Sequence, residues 1–141
     1  MQILENKKDR LILRFDALEE LRAGIHTVAG KYGISSGWVQ ALGSCGELEL
    51  AYYNLDTKKY ETRRYTERME VLTATGNIAL KDDKPFAHLH GTFSDKGMAV
   101  FGGHINKCVV SATMEVMIWK GEGKLRRLHD EETGLFLLQK K

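Results

Sequence analysis

Proline occurs once in the 141 residues, at Pro85, and cysteine twice, at Cys45 and Cys108. Two cysteines cannot build a disulfide framework or a four-cysteine zinc site. Cys108 lies in an apolar run (CVVSATMEVMIW), which predicts a buried free thiol. The scarcity of proline and of long polar tracts argues against disorder. No apolar run approaches the roughly 20 residues of a membrane-spanning helix. The first residues, MQILENKKDR, lack the apolar core of a signal peptide. Together these absences predict a reduced, cytoplasmic protein with no membrane partner. Charge of one sign is also missing. Twenty-one basic residues face 19 acidic ones, for a net charge of +2, which is too balanced to identify nucleic acid as the partner. There is no phosphate-binding loop, dinucleotide glycine motif or Ser-His-Asp set. No reaction can therefore be named from motifs.

The length suits one domain, taken as 1–141. A chain of this size buries roughly 70% of its unfolded surface and holds a core without cross-links. Leu11 to Phe15 reads as a first strand. Asp16 is a plausible N-cap for a helix over Ala17 to Tyr32, whose apolar residues Leu18, Leu21, Ile25, Val28 and Ala29 recur at helical spacing. Glu19 and Glu20 would sit in its first turn and Gly33 would end it. Strands are expected over 37–42 and 47–54, from Tyr60, and over 69–79, 86–93, 98–105, 109–119, 124–128 and 135–140. A loop or bulge is expected at 43–46 and a break at Gly76. The fold class is α+β, with one main, largely antiparallel sheet carrying one principal helix.

Histidine is concentrated where the chemistry should be. In Ala87-His88-Leu89-His90, the two histidines are two residues apart on a strand and point to one face. His104 returns on the next strand after Gly102-Gly103. If Asp95-Lys96-Gly97 is a three-residue hairpin loop with Gly97 left-handed, Ser94 pairs with Met98 and His104 falls opposite His88 on the same face. A two-residue loop would send His104 to the other face. Gly91, Gly102 and Gly103 leave room beside such a site. Three neutral imidazoles with an open fourth position suit a zinc ion, and Ni, Co or Fe are alternatives. A cupin reading of the H-x-H pair is disfavoured, because no glutamate follows within a few residues.

Glu70 and Glu115 lie inside otherwise apolar strands and are the candidates for a general base or fourth ligand. The alternative for both is an exposed strand face or an ion pair, with Arg14 a possible partner. Lys58, Lys59, Arg63 and Arg64 form a short basic patch, read as a solvated hairpin. Tyr52, Tyr53, Tyr60 and Tyr65 could stack on bases or simply pack. His26 and His129 are not expected to be ligands.

Across nearly its whole length the chain resembles the plant and prokaryote conserved domain family. The shared features are Leu13-Arg14, Gly43, and the stretch Arg68-Met69-Glu70-Val71-Leu72. The most specific are His88-Leu89-His90 followed by Gly97 through His104, with Arg127 and Gly134 near the end. The resemblance implies an α/β-type sandwich, a homotrimer, and zinc at His88, His90 and His104. The family's DNA-binding label comes from members that carry AT-hooks. No Arg-Gly-Arg-Pro core exists here, so the hook that reads the minor groove is missing. Three readings follow: a trimeric zinc-binding protein, with or without a metal-dependent activity, of small-molecule or regulatory function; a DNA-associated regulatory module; or a trimer that scaffolds other proteins through sheet edges or loops.

Overall fold

The computed structural model describes residues 1–140. Its elements are β1 (Gln2–Asn6), β2 (Arg10–Asp16), α1 (Leu21–Lys31), β3 (Ser36–Asn54), β4 (Lys59–Tyr65), β5 (Met69–Lys81), β6 (Lys84–Ser94), β7 (Val100–Lys120), β8 (Leu125–His129) and β9 (Phe136–Lys140). Strands dominate, and the expected principal helix is short. All nine strands belong to one sheet with the path β1-β2-β7-β3-β5-β8-β9; β4 adds to β3, and β6 pairs with both β5 and β7. Every pairing is antiparallel except the single β5–β8 bridge, which makes the sheet mixed.

Several expected strand pairs are single long strands. β3 runs through Gly43 to Gly46 with shifts in register there, so the expected bulge is present inside one strand. β7 joins the two strands expected over 98–105 and 109–119. β5 continues through Gly76 without the expected break. Long strands can change neighbours along their length. β3 pairs with β5, β5 with β6, β6 with β7, and β7 again with β3, so these four close a ring of pairings. This ring brings β6 and β7 together where the histidines lie.

The core follows from two periodicities. Leu11, Leu13 and Phe15 alternate along β2 and are fully buried, as the pleat requires. Leu21, Ile25, Val28 and Ala29 form the apolar stripe of α1 and join the same cluster. The helix starts four residues later than expected. Leu18 has φ 70°, a left-handed conformation incompatible with an α-helix. Glu20, not Asp16, is the N-cap, and its carboxylate accepts from the Arg22 and Ala23 amides. The same carboxylate accepts from Cys108 N at 3.1 Å, tying the helix start to β7. Glu19 instead accepts from the amino group of Met1 and from Asp16 N. Cys45 and Cys108 are free and buried, as expected for Cys108.

Candidate metal centre

β6 alternates without a flaw around the site. Ala87, Leu89 and Phe93 are buried in the core, while His88 and His90 face the other way. The β6–β7 hairpin decides where His104 joins them. Its loop spans residues 95–99 rather than three residues, since Ser94 pairs with Val100 and His90 with His104. Asp95 builds the wider turn: its Oδ1 accepts from Gly97 N at 2.8 Å and Ala99 N at 3.0 Å. Met98, not Gly97, takes the left-handed conformation, at φ 62°. His104 therefore stands opposite His90 instead of His88. The register moves by two residues, and an even shift preserves the face.

Two glycines let the strands close. A Cβ on Gly76 would lie 1.8 Å from His88 O, and one on Gly102 would lie 2.4 Å from Gly91 O. Side chains at either position would push β6 off its neighbours.

The three rings meet with centroids 5.0 to 5.3 Å apart. One nitrogen from each lies within 4.8 Å of the others, and His88 Nε2 and His90 Nε2 are 3.2 Å apart. Nitrogens bound at about 2.1 Å around a tetrahedral ion sit about 3.4 Å from each other. The donor set thus fits a nitrogen-liganded ion. Burial holds the His88 and His104 rings neutral, with pKa pushed down from 6.5 to about 4; nearby Arg127 and the other imidazoles add repulsion. Burial also lowers that of His90. Neutral imidazole is the form that ligates.

Arg127, from β8, lies behind His88. Its Nη2 donates to His88 Nδ1 at 3.1 Å and Asn77 Oδ1 at 2.7 Å, and its Nη1 donates to Phe136 O at 3.0 Å. A guanidinium has no acceptor. Nδ1 of His88 therefore accepts, its proton sits on Nε2, and that proton points to His90 Nε2. In front of the histidines opens a cavity of about 760 Å³ lined by Arg22, Tyr53, Tyr60, Lys81, Phe86, Phe136 and others. Tyr60 packs on His104 at 5.6 Å between centroids. Among the described residues that line this cavity there is no carboxylate.

The other expected site residues lie elsewhere. Glu70 is exposed on β5 beside a shallow depression with Ser44, Arg68 and Ser94. Glu115 is exposed on β7, opposite Leu42 and Arg14. Neither lines the histidine cavity. Arg14 hydrogen-bonds Asp16. His26 accepts from Ala87 N at 2.9 Å, capping the part of β6 that faces the helix. His129 contacts Glu131. In the basic patch, Arg64 pairs with Glu49 and Lys58 with Glu131 O. Arg127, Asn77 and Arg22 were missed as site residues. Arg127 was noted only as a feature shared with the family, and nothing local marks a site role for any of the three: Asn77 and Arg127 reach the site through strand pairing and Arg22 through the docking of α1.

The family profile described as the Plants and Prokaryotes Conserved (PCC) domain matches residues 4–122. The chain belongs to this family. Among solved structures, a metal-containing protein from Archaeoglobus fulgidus is 31% identical, with 99% of this chain and 100% of that one covered and a TM-score of 0.88. A PPC protein from Pyrococcus horikoshii is 25% identical over 94% and 92% of the chains, with a TM-score of 0.86. A candidate DNA-binding protein from Bacteroides thetaiotaomicron has a TM-score of 0.92 at 24% identity over 96% and 94%. At that identity the likeness shows the PCC fold alone. The comparison with curated proteins found no match. No helix among the described residues is long and apolar enough to cross a membrane.

Proposed function

We propose that this PCC-domain chain is a metal-binding protein whose ion is held by His88, His90 and His104. The observation that carries the reading is the convergence of three ring nitrogens, from β6 and β7, within 4.8 Å of one another. The metal-containing relative at 31% identity supports it. Zinc is the ion we assign, because three neutral imidazoles with an open fourth position are a zinc donor set. That open position would supply Lewis acidity or a bound water of lowered pKa. Glu70 or Glu115 as general base would require a change in their surroundings, since both stand outside the cavity. We also propose a cytoplasmic homotrimer. In its support, Trp38 and Trp119 pair across β3 and β7 and are 52% and 41% exposed, with Leu42 nearby at 54%. Such an apolar face suits burial against another subunit.

The test is elemental analysis of untagged protein purified without a nickel column. One zinc per chain is expected, with His88→Ala and His104→Ala empty. Absence of stoichiometric metal from the folded wild type sinks the reading. Analytical ultracentrifugation of the same sample checks the trimer.

The DNA-associated reading draws on the description of the Bacteroides relative and on exposed Lys59 and Arg63 of β4. It predicts duplex binding that weakens steeply with salt. Failure to shift duplex DNA at moderate salt counts against it.

A further inference from the structure

The wall beside the histidines carries three cations without a compensating acid. Arg127 is only 9% exposed, and the groups it touches are neutral: Asn77 Oδ1, Phe136 O and His88 Nδ1. Arg22 gives Nη1 to Asn106 O at 2.7 Å. The Nε atoms of Arg22 and Arg127 are buried with no acceptor. A buried guanidinium that meets no carboxylate is costly to keep, and a ligand anion offsets that cost. Lys81 contributes the third cation, with Nζ 3.8 Å from the Phe136 ring centroid.

The same wall is aromatic. The guanidinium carbons of Arg22 and Arg127 lie 5.5 and 5.8 Å from the centroid of Phe86. Cations and ring faces therefore line one space of about 760 Å³, a volume in the range of small-molecule sites. Inorganic phosphate alone would leave the rings uncovered. An apolar molecule alone would leave the cations uncompensated.

We propose that this cavity binds a small organic anion, with its oxyanion head group on Arg127 and its neighbours Arg22 and Lys81, and its apolar body on Phe86 and Phe136. The site deepens the metal reading by naming the ligand class that sits beside the ion. Arg127 links the two. It touches His88 and lines the cavity as well. The cation–anion contact itself does not require the ion.

The test is calorimetric titration of untagged protein with benzoate, its neutral analogue benzamide, and inorganic phosphate, with metal content assayed on each sample. Benzoate is expected to bind at least about tenfold more tightly than benzamide, the worth of one charge-assisted hydrogen bond, and more tightly than phosphate. Arg127→Met should weaken benzoate by about tenfold while metal content stays. Lys81→Met alters a partly exposed side chain outside the buried network and should weaken benzoate about threefold; it decides the matter if Arg127→Met does not fold. Benzamide binding as tightly as benzoate, or no benzoate binding to folded wild type, overturns the proposal whatever the metal content. A protein without metal that still prefers benzoate overturns the metal reading and upholds the anion site.

Discussion

Arg127 Nη2 stands 3.1 Å from His88 Nδ1, so a residue 39 positions away sets the tautomer of a candidate ligand. The contact is a donor onto the back of the ring, where a metal-ligating histidine ordinarily donates to an acceptor. It also places a positive charge near the site. Removing that charge should strengthen metal binding. Arg127→Met is expected to hold zinc at least as tightly as wild type by competition with a chromophoric chelator. Its stability should fall by about 1–3 kcal/mol, because Asn77 Oδ1 and Phe136 O lose their donor. Loss of zinc from a folded Arg127→Met protein would show that the guanidinium supports the ligand rather than opposing the ion.

Acid should destabilise the metal-free protein. The His88 and His104 rings have folded pKa values of about 4 against an ordinary 6.5. Between these values the unfolded chain takes up protons that the folded chain refuses. Stability is therefore complete above pH 6.5 and declines as pH falls toward 4. Urea unfolding of metal-free protein at about pH 7 and about pH 5 should show the decline, and replacing both rings with asparagine should reduce it, leaving the smaller share of His90 and His26, which burial also pushes down. Equal slopes in wild type and the double variant would remove these histidines from the pH dependence.

Gly76→Ala should damage fold and site together. The added carbon meets His88 O at 1.8 Å, and its nearest neighbours are all β6 backbone, which has no flexible end to move. A loss of about 2–4 kcal/mol is expected from overpacking and a broken strand pair, with weaker zinc binding. Chemical denaturation and metal titration check both. A loss below about 0.5 kcal/mol contradicts the close approach.

Helix capping offers a cleaner contrast. Glu20 receives the Arg22, Ala23 and Cys108 amides. Glu20→Ala should cost about 1–2 kcal/mol. Asp16→Ala removes half-exposed ion pairs to Arg14 and to the amino group of Met1 and should cost about 0.5 kcal/mol. Melting temperatures of the two variants rank them; a reversed order would mean that the helix begins near residue 17 after all.

Much of the site was legible because strand geometry is a rule of parity. A spacing of two residues, with only Leu89 between, places His88 and His90 on one face, whatever they pair with. The hairpin was read two residues short, since Asp95 caps a wider turn than Gly97 alone suggested. His104 still reached the right face because the error was even. The helix start was misread because Asp16, a good cap by type, precedes Leu18, whose positive φ no propensity announces.

Local spacing along the chain carries the alternation that aims three imidazoles one way, the apolar stripe of the helix, and the motifs shared with the family. Tertiary structure alone decided what surrounds those imidazoles. Arg127 arrives through the β5–β8 bridge at Leu80 and Arg126, Arg22 from the helix, and Phe136 from the last strand. Their meeting depends on contacts distant in sequence, such as Arg127 with His88 and with Asn77, 39 and 50 residues away. Local periodicity carries no record of such pairings, because they follow from which strand edges and faces find each other when the whole core is buried.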